Sequence, residues 1–356
     1  MRLQERGTAR ISLVSMEPQS SATDETSAAQ AVAAPADGGA EEWSRLTGLL
    51  MRQAKKFHTL LPRVLAAQDS EAVHDVRVCT RRLQQLLLIA EVRGDRQKLK
   101  ALRRELHRVR AAIGEWRNCD VILERVARRF RRTGDGDRRD SWTLLDGAIS
   151  KRRRRQIRRA QEKLLRPELL NLRDRVGELA SAQVQPGQPG VKHALHAAIA
   201  KAYGQWAEAA QPAAQNPADE LIHGFRIHMK RLRYRLEMAR EFGAVEAEEH
   251  LRWLRSLQDR LGRWHDRREF CRSVARTLSR QSLLMARAKA AIYLLREAQR
   301  NEQMARREAQ SVMLEVLDSP ARTSFDAWID RFIRQDASAA ASAPPAAGDN
   351  GPVVDD

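Results

Sequence analysis

Apolar residues recur along this chain at three- and four-residue steps, the period of a helix buried on one side. Trp43, Leu46, Leu50, Phe57, Leu60 and Val64 begin the pattern near Glu41, with Pro62 as a place for a kink. Asp69 or Ser70 can cap a second helix, which runs to about Val92 and is broken by Gly94. The spacing predicts a third helix over about 95–113 with Gly114 as its stop, and a fourth over about 118–132. A fifth covers about 140–165, and a short one follows Pro167 to about Ala182. Gln185-Pro186-Gly187-Gln188-Pro189-Gly190 is the clearest boundary. Beyond it the order returns: a helix over 191–210, a loop holding Pro212 and Pro217, and a helix capped by Asp219 that runs to about Phe242. Helices over 244–261, 266–280 and 282–317 follow, and a last one carries Phe325, Trp328 and Phe332. Gly and Pro are sparse inside the periodic stretches, so the fold class is all-α.

The return is a repeat in detail. His74, Arg77, Arg81, Arg82 and Leu83 match His223, Arg226, Lys230, Arg231 and Leu232 at an offset of 149. Leu106, Val109, Ile113, Gly114, Trp116, Arg117 and Asn118 match Leu254, Leu257, Leu261, Gly262, Trp264, His265 and Asp266 at 148. On a helical wheel Ile222, Phe225, Met229, Leu232 and Leu236 share one side, and His223, Arg226, Lys230 and Arg233 an adjacent arc. In the first copy Val73, Val76, Thr80, Leu83 and Leu87 are the apolar side, and His74, Arg77 and Arg81 the basic arc. Each helix is thus anchored by one face while another aligns positive charge. The economical arrangement is two helical bundles related by an approximate twofold, the first over about 41–182 and the second over about 191–335, joined by a linker at 183–190. Such an axis brings the two basic arcs towards each other, giving a positive groove or channel.

Charge sharpens this picture. The chain carries +18 overall. Residues 1–40 and 336–356 are rich in Ser, Ala, Pro and acid and read as disordered tails. The stretch 43–335 holds 61 basic and 35 acidic residues. So large a surplus repels itself and implies a polyanionic partner. The run Lys151–Arg155 with Arg158 and Arg159 is a candidate for the same channel. So are Arg104 with Arg252 and His107 with Arg255, which are matched across the repeat. Cys79, Cys119 and Cys271 stand far apart in no metal-binding spacing, which suits a reducing cytoplasm and buried thiols. The apolar patch Ile11–Val14 is too short for a secretory signal, and no run approaches a membrane span.

The two signatures, His-x-x-Arg-x-x-x-Arg-Arg-Leu at 74–83 and His-x-x-Arg-x-x-x-Lys-Arg-Leu-Arg-Tyr at 223–234, resemble the CHAD family, named for its conserved histidine and α-helical domain. Leu257–Asp266 and the weaker Ile113–Val121 support the resemblance, which covers nearly everything from about 43 to 335. It implies two four-helix bundles about a pseudo-twofold, a basic central channel, and binding of inorganic polyphosphate, with association with polyphosphate granules as a corollary. Carried over residue by residue, the ligand falls to His74, Arg77, Arg81 and Arg82, and to His223, Arg226, Lys230, Arg231 and Arg233. The sequence departs from the family pattern at Asn118, where an acid is usual, and at Gln84-Gln85, which stand opposite Arg233-Tyr234. Both departures predict a weaker first-half site.

Polyphosphate suits these side chains because it repeats one charge and offers no base edges, so it needs a row of cations. Arginine meets phosphate oxygens with a planar fork and lysine with a point charge. Nucleic acid is the second reading. An enzyme that uses His74 or His223 as phospho-acceptor is the third. No Gly-rich phosphate loop, GxSxG, HExxH or acidic metal cluster is present, so binding without turnover, cofactor or metal is the expectation. Asp120 and Asp266 are expected to orient arginines rather than to exchange protons.

Overall fold

The computed structural model describes residues 38–66, 69–134, 136–181, 190–279 and 286–341. Among them the chain is helical throughout: α1 (Gly38–Leu65), α2 (Ser70–Ala90), α3 (Arg96–Phe130), α4 (Asp137–Leu164), α5 (Pro167–Leu170), α6 (Leu172–Ala180), α7 (Val191–Gln215), α8 (Asp219–Glu241), α9 (Ala247–Leu278), α10 (Ala288–Leu317) and α11 (Pro320–Ala341). The proposed linker, apart from Gly190, and most of both tails lie outside the described residues.

The ends of α2 follow local chemistry. The Asp69 carboxylate accepts from the backbone N–H groups of Glu71 and Ala72 at 3.0 and 2.9 Å. Asp95 caps α3 in the same way, accepting from Gln97 and Lys98. Gly94 sits between these helices where a side chain has no room: a β-carbon would lie 2.6 Å from a Leu179 methyl and 2.8 Å from one of Leu99.

Four expectations are corrected. Gly114 and Gly262 end nothing; α3 and α9 run straight through them for 35 and 32 residues. A mid-helix glycine costs only about 1 kcal/mol, which the buried leucines and tryptophans on either side outweigh. Pro212 lies inside α7 rather than in a loop. Asp219 is not a cap but a first-turn residue, and its carboxylate accepts from Arg268 and Arg272 of α9.

The repeat is visible in the packing. α1, α2, α3 and α4 correspond to α7, α8, α9 and α10. Each packs against its neighbours within its half and also against its own counterpart. Contact between equivalent elements is the pattern that an approximate twofold produces. The core is not divided along the repeat. One apolar cluster draws on every helix and includes Trp116 and Trp206. A second joins the C-terminal halves of α3 and α9 to the N-terminal halves of α4 and α10, around Trp142 and Phe270. No helix among the described residues is long and apolar enough to cross a membrane.

Candidate functional site

Between α2 and α3 on one side and α8 on the other lies a cavity of about 1130 Å³. α2 lends it Arg77, Arg81, Gln84 and Gln85, and α8 lends His223, Arg226, Ile227, Lys230, Arg231 and Tyr234. α3 supplies Lys100, Arg103, Arg104, His107, Arg110, Gly114, Glu115 and Asn118, and α9 supplies His265. Nine Lys or Arg side chains and three histidines thus line it against one carboxylate, Glu115. That carboxylate already accepts from Arg152 at 2.5 Å.

The signature arginines sit deepest. Arg77 and Arg226 occupy equivalent places, and the Nε–H of each is buried without a hydrogen-bond partner among the described residues. Among the described residues no ion pair holds either of them, or Arg81, Arg110 or Lys230. Burial first and Arg81 second push Arg77 and Arg226 down to about 10; further cations add to the lowering at Arg77, while Asp266 partly offsets it at Arg226. Arg110 falls to about 10 for the same reasons, and Lys230 lies well below the usual lysine value. His107 and His223 are lowered too, by burial and then by Arg110 and Arg226 respectively. A buried, unpartnered donor surrounded by like charge is costly. An anion in the cavity removes both penalties together.

The halves are joined across the cavity. Arg81 of α2 donates to the Tyr234 hydroxyl of α8, and its guanidinium lies 5.1 Å from the centre of that ring. Arg233 covers the same ring at 4.2 Å. Gln85, the counterpart of Tyr234, accepts from Arg235 Nε at 3.3 Å. A second relation crosses the repeat with its partners exchanged. In the first half Arg110 of α3 donates to Gln84 of α2 at 2.5 Å. In the second half Arg233 of α8 donates to Gln258 of α9 at 2.8 Å. The sequence positions correspond, but arginine and glutamine have traded helices.

This arrangement sorts the residues singled out from the sequence. Arg77, Arg81, Arg104, His107, His223, Arg226, Lys230 and Arg231 line the cavity. Eight others do not. His74 is exposed just outside it, close enough to Arg117 and Arg77 for their charge to add to the lowering by burial. Arg82 turns to a separate small pocket beside Leu49, Arg240 and Arg255. Arg233 is buried, paired with Glu237. Arg255 is held by Glu248 and Glu237. Arg252 and Arg158 are exposed on faces that meet solvent. Lys151 and Arg155 line a different hollow, because α4 packs on the far side of α3. Asp120 pairs with Arg153 at 2.6 Å, and Asp266 approaches His265 at 3.4 Å.

Sequence reasoning missed Lys100, Arg103, Arg110 and His265. A signal was present: 100, 103, 107, 110, 114 and 118 form one ladder of three- and four-residue steps. Gly114 is a rung of that ladder that faces the cavity.

The model of the CHAD domain family matches residues 48–275. The chain belongs to the CHAD family. Two solved structures share its fold. The protein titled PptA from Streptomyces chartreusis has a TM-score of 0.59 at 22% identity, over 76% of this chain and 98% of its own. The CHAD domain from the plant Ricinus communis has a TM-score of 0.58 at 23% identity, over 82% and 97%. No curated protein matches. In this CHAD protein the family match takes in every residue that lines the cavity.

Proposed function

We propose that this CHAD protein binds inorganic polyphosphate in the central cavity and does not turn it over. The observation that carries the reading is the matched pair Arg77 and Arg226, each with a buried Nε–H that lacks an acceptor, among nine cations facing one occupied carboxylate. A chain of phosphates supplies acceptors and opposite charge along the whole lining, and release of its counterions adds free energy.

The lining also favours phosphate over nucleic acid. Unpaired bases bind proteins by stacking on open aromatic faces. Besides its three histidines the cavity has a single larger aromatic ring, Tyr234, and the guanidinium groups of Arg81 and Arg233 lie over it. Cations dominate the lining, and its one phenol ring is already covered. In a cell that stores polyphosphate, such a module would sit at the granule surface.

Replacing Arg77 and Arg226 together with Ala is expected to weaken polyphosphate binding by at least about a hundredfold, since each charge-assisted contact contributes about 1.5–3 kcal/mol. Helical circular dichroism should be unchanged. Unaltered affinity, or displacement of polyphosphate by DNA at equal phosphate concentration, would overturn the reading. Release of orthophosphate or formation of phosphohistidine would overturn its non-catalytic part.

A further inference from the structure

Beyond the Glu115 wall of the cavity lies a second hollow, of about 400 Å³, between α4 and α9. Lys151, Arg152, Arg155 and Arg159 enter it from α4, and Arg276 from α9. Positions 151, 155 and 159 are four apart, so their side chains form one stripe, about 6 Å between successive cations along the axis. Arg152 and Arg276 are already engaged by acids: Arg152 by Glu115 and by Glu269 at 3.5 Å, Arg276 by Glu269 at 3.3 Å. Lys151, Arg155 and Arg159 have no ion pair among the described residues.

Such a surplus is not a feature of every hollow on the protein. A comparable hollow of about 510 Å³, at the start of α8, contains Asp219, Glu220 and Glu302 against Arg268 and Arg306. There Asp219 and Glu302 both hold Arg268. The hollow on α4 has a single lining acid, Glu115, and that residue also lines the central cavity. One ion pair, Glu115 with Arg152, therefore stands where the two basic spaces meet.

We infer that the α4 stripe is a second subsite for phosphate chains, reached from the central cavity past Glu115 and Arg152. The inference rests on the polyphosphate reading above. Short chains are satisfied in the central cavity; only a chain long enough to leave it meets Lys151, Arg155 and Arg159. The protein would then select for length by adding contacts in series, with the second set at high effective concentration once the first is occupied.

The test compares tripolyphosphate with long-chain polyphosphate on the whole protein and on the Lys151→Ala/Arg155→Ala/Arg159→Ala variant. These side chains are exposed, and alanine is the best helix former, so α4 is preserved. A control variant, Arg128→Ala/Arg131→Ala/Arg132→Ala, removes the same charge from the exposed end of α3. The expected result is a loss of about tenfold or more for the long chain in the α4 variant. Its salt slope should fall by roughly 2, at about 0.7 per cation on a single strand. Tripolyphosphate affinity should be unchanged, and the control should bind both ligands as the unaltered protein does. Equal losses for both ligands, no loss for either, or the same long-chain loss in the control would overturn the subsite. If the unaltered protein binds neither ligand, the polyphosphate reading itself falls and takes the subsite with it.

Discussion

His107 and His223 stand among guanidinium groups and are pushed below their ordinary pKa by partial burial, then by Arg110 and Arg226. In the free protein these bases hold fewer protons than they would unfolded, so the fold loses stability as pH falls from about 6.5 towards their lowered values. Phosphate in the cavity reverses the local charge and raises the same pKa values. Binding therefore takes up protons, and affinity should rise as pH falls from about 7.5 to about 5.5, by up to about tenfold for each histidine raised by one unit. Titration calorimetry in two buffers of different ionisation enthalpy measures that uptake directly. Substituting Asn for both histidines should flatten the profile while leaving binding at neutral pH within a few-fold. A profile that is flat with both histidines present would show that they do not sense the ligand.

At the level of helices, the exchanged pair, Arg110 with Gln84 and Arg233 with Gln258, tests how the two halves were adapted. Gln84 is buried between α2 and α3, and its amide also donates to the Arg103 carbonyl at 3.0 Å. Gln84→Arg alone brings two guanidinium groups together there and should destabilise the protein by about 2–3 kcal/mol. Adding Arg110→Gln rebuilds the second-half arrangement in the first half and should recover most of that loss in a denaturant double-mutant cycle. Additive losses would mean that the two positions do not share the bond. The same pair shows what the sequence could convey. The basic arc at 77, 81, 226 and 230 was legible because helical periodicity alone aligns those positions, and the offset of 149 pairs them. Gln84-Gln85 looked like a deficit because the compensating Arg110 lies on another helix, and one sequence does not display contacts between helices. The continuity of α3 and α9 through Gly114 and Gly262 was hidden for a related reason. Glycine's local preference is weak, and packing over both sides of the residue decides.

For the whole molecule, the charge surplus and the placement of acids must be taken together. Residues 43–335 carry 61 basic against 35 acidic side chains. Many of the acids are committed to outer helix pairs, such as Glu308 with Arg263 and Arg267, and Glu315 with Arg260. Part of what remains unneutralised is gathered in the cavity and along α4, so self-repulsion acts where the ligand is proposed to bind. Two ways of relieving it should both raise the thermal unfolding midpoint. Simple salt should do so gradually, by screening repulsion between exposed cations, most fully for those more than about 10 Å apart at about 0.1 M. Long-chain polyphosphate should do so by mass action: at a hundred times its dissociation constant it contributes about 2.7 kcal/mol, or roughly 4 °C for a chain of this size. The two effects should not add, because high salt removes the counterion-release term that drives phosphate binding. A midpoint raised equally by polyphosphate at low and high salt would mean that the ligand is held by something other than this field of cations. A midpoint that neither agent moves would mean that the cations are not in tension at all.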